Sequence, residues 1–169
     1  LALNLFREGR LQGVVTLGGA EGAVLGASAM MGLPIGVPKM IVTPIASGHR
    51  RFGPLVGTKD VMVVHSVIDI LGLNPISCAV FDNVAAAMAG MALHNRPMAI
   101  TSGQKRVAIT MLGNTTKAVM VIRDRLLERG IESVIFHSNG VGGPAMEELA
   151  AEGLFTGVID FTTDDLTDE

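Results

Sequence analysis

Hydroxyl-bearing and glycine-rich segments follow three successive predicted strands in the later part of the chain. These segments are Asn114-Thr115-Thr116, His137-Ser-Asn-Gly-Val-Gly-Gly143 and Thr162-Thr163. Glycine lets the backbone approach a ligand closely, and the N–H groups at the start of the next helix point outward. Those amides and the helix dipole favour an anion. The segments therefore predict the binding of a small phosphorylated ligand, with a nucleotide as the first candidate.

We expect the glycine-rich segment to cradle the phosphates and the preceding segment to add hydroxyl contacts. A purely structural interpretation stays open, in which Thr115, Thr163 and Asn139 cap their helices. The residues predicted to bind the ligand in this part of the chain are Thr115, Thr116, Ser138, Asn139, Gly140, Gly142 and Gly143.

An earlier glycine cluster, Gly18-Gly19-Ala20-Glu21-Gly22, also joins a predicted strand to a helix. A Glu21 carboxylate at the helix start would occupy the amides and repel phosphate. The cluster is either a self-capped helix start or a site where Glu21 meets a metal or a ribose hydroxyl. In the next loop, Arg50 and Arg51 either clamp a phosphate or are simply solvated.

His65 and His137 each end a predicted strand, where an imidazole can act as an acid or base near neutral pH. They support an alternative function, an enzyme acting on a phosphorylated or carboxylated metabolite. A third possibility is a dimeric protein-interaction module whose apolar helices, especially 75–93, form the interface. Both histidines can equally be hydrogen-bonded edge residues, so whether the chain is an enzyme stays open. The sequence has no Gly-x-Ser-x-Gly elbow, Walker lysine or metal-ligand cluster. We therefore expect no metal except Mg²⁺ accompanying a nucleotide.

Strands and helices alternate along the chain, which predicts an α/β fold with open parallel sheets of Rossmann-like type. We expect parts of two domains, 1–95 and 107–169, joined by a polar linker at 96–106. Asn74 as cap and Pro75 at the first position indicate one long helix at 75–93. The predicted strands are 13–17, 39–43, 61–65, 107–112, 133–136 and 157–161. The other predicted helices are 2–10, 23–31, 117–130, 145–153 and one that begins near the end.

The composition limits the partners. Hydrophobic residues make up 49% of the chain and charged residues 17%, below the roughly 25% usual in soluble domains, so we expect a homo-oligomer interface. A net charge of −3 with no Trp or Tyr argues against nucleic-acid partners.

We expect no membrane segment, because no apolar run reaches about 18 residues. We also expect a cytoplasmic location. The start without Met and the helix opening at the end suggest a fragment of a longer protein.

Six motifs together resemble the largely uncharacterised family that includes the tobamovirus-resistance protein of tomato. The resemblance covers nearly the whole chain. Its motifs are Gly32-Leu-Pro-Ile-Gly-Val-Pro-Lys-Met40, Ile45-Ala-Ser-Gly48, Val56-Gly-Thr-Lys-Asp60, Ser66-Val-Ile-Asp-Ile-Leu-Gly-Leu-Asn74, His137-Ser-Asn-Gly-Val-Gly-Gly-Pro-Ala-Met-Glu147 and Gly153-Leu-Phe-Thr-Gly-Val-Ile-Asp-Phe-Thr-Thr163.

This resemblance implies a longer protein with two Rossmann-like domains, ATP binding and dimerisation. The chain would hold the later part of the first domain and the early part of the second. Gly18, Gly19 and Gly22 match the family's first glycine-rich loop. The second loop is matched by Ser138, Asn139, Gly140, Gly142 and Gly143. The antiviral role of the plant relative is a specialised property that the resemblance does not transfer.

Overall fold

A computed structural model of the chain describes residues 1–47, 55–96, 98 and 103–163. The chain divides into two compact units, Leu1–Met98 and Ala99–Glu169. Each unit contains a three-stranded parallel sheet with helices between its strands. The predicted α/β fold with Rossmann-like parallel sheets is therefore confirmed. The division falls inside the predicted linker 96–106, where residues 97 and 99–102 lie outside the described part.

Unit 1 is built around strand β2. Its strands occur in the order β1-β2-β3, all parallel. Every residue of β2 is buried, because the strand lies between two others and is apolar on both faces. The elements are α1 (Ala2–Arg7), β1 (Val14–Leu17), α2 (Ala20–Met31), β2 (Lys39–Thr43), a 3₁₀ turn (Pro44–Ser47), β3 (Met62–His65) and α3 (Pro75–His94).

Helices α2 and α3 cover opposite faces of this sheet. Successive side chains of a strand point to opposite faces, so neighbouring residues of β2 meet different helices. One cluster joins Ile41 to Ala23, Ala27 and Met30 of α2, and the other joins Met40 and Val42 to Val84 of α3. The alternation in β2 thus fixes a three-layer arrangement within the unit.

The first residue of β2 is a lysine whose side chain is completely buried. The Nζ of Lys39 donates hydrogen bonds to the carbonyl oxygens of Pro34 and Val37, at 2.7 and 2.9 Å. It also donates to Oδ1 of Asp60 at 2.7 Å, and Oδ2 of Asp60 accepts from the Gly36 amide at 2.8 Å. These bonds satisfy all three hydrogens of the ammonium and tie the turn before β2 to the segment before β3.

Helix α3 begins as its sequence predicts. The Oδ1 of Asn74 accepts hydrogen bonds from the amides of Ile76 and Ser77, at 3.0 and 3.1 Å. The Ser77 hydroxyl accepts from the Asn74 amide at 2.8 Å, which completes a capping box with Pro75 at the first helical position. The predicted cap is confirmed, and the helix runs to His94.

Helix α3 is also long and mostly apolar. Among the described residues its length of 20 residues and its composition are sufficient to cross a membrane, although Asp82 and Asn83 interrupt the apolar run. The core helix of a soluble protein can have the same length and composition, so the expectation of no membrane segment stays a prediction. Only 11% of the most apolar 18 residues of α3 are buried within the described chain. The cytoplasmic location stays a prediction.

Unit 2 has its first strand in the centre. The order β5-β4-β6 is parallel throughout, so the chain goes to one side of β4 and then crosses to the other. The strand order therefore reverses between β4 and β6, which is the switch point where ligands bind in such sheets. The elements are β4 (Arg106–Met111), a 3₁₀ turn (Gly113–Thr115), α4 (Thr116–Leu127), β5 (Glu132–His137), α5 (Gly142–Ala151) and β6 (Gly157–Ile159).

Two helices begin earlier than their sequences predict. Helix α5 starts at Gly142 rather than residue 145, and α2 starts at Ala20 rather than residue 23. Glycine and proline disfavour helix interiors, yet both are tolerated in a first turn. The loop after β5 is consequently only the turn 138–141. The helix predicted near the end of the chain lies outside the described residues, which stop at Thr163.

Candidate functional site

The three segments that the sequence singles out in unit 2 lie at one edge of its sheet. The strands are parallel, with Met111 of β4 beside His137 of β5 and Ile109 beside Ile159 of β6. The connections that leave β4, β5 and β6 therefore all start from the same, carboxyl edge. This is the edge at which a sheet of this type binds ligands.

The start of α5 is packed directly on the end of β5. A Cβ atom at Gly142 would overlap the carbonyl oxygen of His137. Only glycine permits this contact, which gives Gly142 the role of close strand–helix packing seen in dinucleotide-binding folds. Gly140 has a φ of 86°, the left-handed region that glycine enters without strain. The result is a tight turn in which Asn139 and Gly140 are exposed.

The predicted ligand residues of this segment differ in accessibility. Asn139 and Gly140 are exposed and Gly142 is half-buried, whereas Ser138 and Gly143 are buried. The exposed rim of the turn is therefore narrower than the segment 137–143 that the sequence suggests. Asn139 does not cap α5, because the residue before the helix is Val141.

A hydroxyl network joins the three strand ends. The Thr110 hydroxyl donates to Oδ1 of Asp160 at 2.7 Å and accepts from the Thr162 amide at 2.9 Å. The hydroxyl oxygens of Thr162 and Thr115 lie 2.7 Å apart. The Ser138 hydroxyl donates to the Thr162 carbonyl at 2.9 Å. The segment after β6 therefore crosses the end of β4 and reaches the start of the turn after β5.

Thr115 and Thr116 are both bonded to the backbone of their own loop. The Thr115 hydroxyl accepts from the Leu112 amide at 3.0 Å, and the Thr116 hydroxyl donates to the Leu112 carbonyl at 3.1 Å. A hydroxyl has a single hydrogen, so Thr116 has none left to donate to a phosphate in this conformation. The described role of these side chains is to shape the loop after β4. Direct contacts from them to a ligand stay a prediction.

Sequence reasoning missed Thr110 and Asp160. Thr110 lies inside a buried strand at 1% exposure, and Asp160 is exposed just after β6. Thr110 and Asp160 each follow directly after the last paired residues, Ile109 and Ile159, and their side chains meet in a hydrogen bond. The sequence does show a threonine beside the apolar residues of this strand, but it cannot show that the partner of Thr110 is 50 residues away.

The first glycine cluster, in unit 1, resembles the second in its packing. A Cβ atom at Gly18 would come within 2.9 Å of the Cα of Gly22, and Gly19 caps α2. The carboxylate of Glu21 is exposed in the first turn of α2, and no side chain caps this helix by a hydrogen bond. A negative charge there interacts favourably with the helix dipole and repels a phosphate. Ligand binding by Gly18, Gly19 and Gly22 stays a prediction.

The remaining candidates lack supporting partners. His65 and His137 are exposed at the ends of β3 and β5, and neither ring makes a hydrogen bond within the described part of the chain. An acid–base group is normally oriented by such a partner. The described residues contain no group of three or more His, Cys, Asp or Glu that could hold a metal ion. Arg50 and Arg51 lie outside the described residues.

This combination of parallel sheets and glycine-rich strand–helix turns defines a Rossmann-like α/β protein. Residues 1–97 match the N-terminal domain, and residues 104–169 the C-terminal domain, of the uncharacterised protein family UPF0261. The chain belongs to this family, which confirms the resemblance found in its motifs.

Curated relatives are longer than the chain. The ToMV resistance protein Tm-1(GCR237) of Solanum lycopersicum is 42% identical over 165 residues, which are 95% of this chain and 22% of that protein. The ToMV susceptible protein tm-1(GCR26) of the same plant has the same identity and coverage. A UPF0261 protein of Clostridium tetani is 39% identical over 167 residues, 98% of this chain and 40% of that protein. The chain thus spans less than half the length of each.

Proposed function

We propose that the chain binds a nucleotide at the carboxyl edge of the sheet in unit 2, with ATP the first ligand to test. The observation that supports this most is the contact of Gly142 with the His137 carbonyl. Because no side chain intervenes, the first turn of α5 is held against the strand end. A helix start in this position attracts an anion chiefly through the helix dipole, because Pro144 has no N–H and the Ala145 amide is bonded to the Val141 carbonyl.

The phosphates would lie against the exposed turn at Asn139 and Gly140. Gly140 brings the backbone close, and the side-chain amide of Asn139 can donate hydrogen bonds to phosphate oxygens. The hydroxyl network through Thr162 holds the neighbouring segment in place before a ligand arrives. Such preorganisation reduces the entropy that is lost on binding. Mg²⁺ would accompany the nucleotide, bound mainly by its phosphates.

Calorimetric titration of the 169-residue chain with ATP, ADP and inorganic triphosphate, in the presence of Mg²⁺, tests the proposal. We expect saturable heat with ATP that Gly142→Asp abolishes, since this substitution adds both a steric overlap and a negative charge. The control is Gly32→Asp, which adds the same charge where a Cβ atom meets nothing within 4 Å. If ATP, ADP and other phosphorylated metabolites all give no heat, the proposal fails.

We also propose that the outer face of α3 forms a homodimer interface. Its outward positions carry mostly small apolar side chains, with Ala79, Ala86 and Ala89 all exposed. Leu93 is 81% exposed near the end of the helix, and Leu71 and Leu73 just before its start are 85% and 78% exposed. Asp82 is exposed between Ala79 and Ala86, so this surface is mostly apolar with one carboxylate in it. A mostly apolar exposed surface is typical of an interaction site. Small side chains on this face allow a second helix to approach closely.

A further inference from the structure

The Thr110–Asp160 hydrogen bond gives the proposed site a second polar feature. Thr110 is 1% exposed, so its hydroxyl must find its partners within the protein. It accepts from the Thr162 amide at 2.9 Å and donates its one hydrogen to Oδ1 of Asp160 at 2.7 Å. An ionised carboxylate can only accept, so the Thr110 hydroxyl is the donor in the Thr110–Asp160 bond.

Asp160 is exposed and does not need this bond for solvation. A buried hydroxyl bonded to an exposed carboxylate therefore serves to orient the carboxylate. Within the described part of the chain, Oδ2 of Asp160 has no hydrogen-bonding partner. An ionised carboxylate is only an acceptor. Its second oxygen is thus held at the switch point beside β4, ready to accept a hydrogen bond from a ligand.

The Asp160 carboxylate is close enough to the turn at 138–141 for one nucleotide to contact both. Asp160 is two residues from Thr162, whose carbonyl accepts the hydrogen bond of Ser138 at the start of that turn. Two residues span at most about 7 Å. A carboxylate repels phosphate unless Mg²⁺ lies between the two groups, and away from the phosphates it accepts hydrogen bonds from an uncharged part of the ligand that carries donors. In a nucleotide whose phosphates lie at the turn, the nearest such donors are the ribose hydroxyls.

We propose that Asp160 accepts a hydrogen bond from the ribose hydroxyls and so selects ribonucleotides over sugar-deoxygenated nucleotides. This inference rests on the proposed nucleotide binding and adds the specificity of the same site. Asp160 is the contact residue. Thr110 is a positioning residue, because it acts on the ligand only through the carboxylate that it orients.

Calorimetric titration with two ligands, ATP and 2′,3′-dideoxy-ATP, tests this specificity in the 169-residue chain. We expect the unaltered chain to bind ATP roughly tenfold more tightly or better, as for a hydrogen bond to a charged group. Asp160→Ala should remove this preference by weakening ATP alone. Thr110→Val should reduce the preference, and Thr110→Ser, which keeps the hydroxyl, should restore it.

The comparison of ligands separates specificity from structure. A merely structural role for Asp160 would weaken both nucleotides equally, so the preference would survive in Asp160→Ala and the inference would be overturned. Equal affinity of the unaltered chain for the two ligands would also overturn it, and that measurement needs no variant that folds. In both cases ATP still binds and the proposed function stands. If neither ATP nor 2′,3′-dideoxy-ATP binds, the proposed function and this inference both fail.

Discussion

Lys39 and Asp60 form an ion pair in which only one partner reaches the solvent. Their Nζ and Oδ1 atoms are 2.7 Å apart, and the side chains are 0% and 42% exposed. The ammonium has lost its water entirely and depends on Asp60 and two backbone carbonyls. The carboxylate keeps part of its hydration. Removing Asp60 would leave a buried ammonium, whereas removing Lys39 would leave a partly hydrated carboxylate.

Asp60→Ala is expected to destabilise unit 1 more than Lys39→Met. The first change leaves a buried charge without a counter-ion and should cost about 3 kcal/mol or more. The second leaves a partly hydrated carboxylate and two carbonyls without donors, at about 1–3 kcal/mol. Urea unfolding followed by circular dichroism measures both values.

The exposed pair Arg10–Glu8 provides the control for these two variants. Its side chains are 69% and 55% exposed, and Glu8→Ala should change the free energy of unfolding by less than about 1 kcal/mol. A larger loss for Lys39→Met than for Asp60→Ala would contradict the argument, since it would mean that burial of the ammonium is not the dominant factor.

Two glycines inside helices should respond to alanine with opposite signs. Gly90→Ala in α3 meets no atom within 4 Å and should stabilise the protein by about 0.5–1 kcal/mol through helix propensity. Gly26→Ala in α2 would overlap the side chain of Thr16 in β1 and should destabilise it by about 1–3 kcal/mol. Thermal unfolding of the two variants gives the signs. Stabilisation by both would show that α2 does not approach β1 as closely as described.

Gly142→Ala should lower both stability and nucleotide affinity. The added methyl group would overlap the His137 carbonyl and displace the start of α5, at about 1–3 kcal/mol. Gly113→Ala is the matched control in the same unit, because nothing lies within 4 Å of its Cβ position. We expect the control to stay within about 0.5 kcal/mol of the unaltered chain. If both variants unfold and bind ATP alike, the close contact has no role in the site.

Ala86→Glu should dissociate the proposed homodimer without unfolding the chain. The position is exposed on the outer face of α3, and glutamate is a good helix former, so the cost to the isolated chain is small. Two facing carboxylates across a dimer interface would repel each other and lose their hydration. Sedimentation velocity over a range of concentrations measures the change. Ala118→Glu, at an exposed position of α4, should leave the association unaffected.

Local features of the sequence predicted much of the fold. The strand at residues 39–43 matches β2 at both ends, and the start of α3 at Pro75 is confirmed. Both follow from short-range rules, namely a buried apolar run and a cap with proline at the first position. The alternation of strands and helices was enough to predict parallel sheets, because the connections cross over.

Long-range contacts explain what the sequence did not reveal. The start of α5 depends on the approach of Gly142 to His137, and glycine alone predicts a loop as readily as a helix start. The partnership of Thr110 with Asp160 depends on the placement of β6 beside β4, which no local pattern encodes. The composition of α3 indicated a helix suited to an interface but not which of its faces is exposed, because an alanine-rich helix has the same composition inside a core and on a surface.

Strand β6 is only three residues long, so its ladder with β4 offers few bonds to hold it in register. A slip by one position would turn its side chains to the other face of the sheet and separate Asp160 from Thr110. The buried Thr110 hydroxyl would then lose its acceptor, and this loss would destabilise a misaligned sheet. Correct pairing of this short strand and assembly of the hydroxyl network are consequently one event, and a misaligned sheet would lack the polar edge that the described strands form.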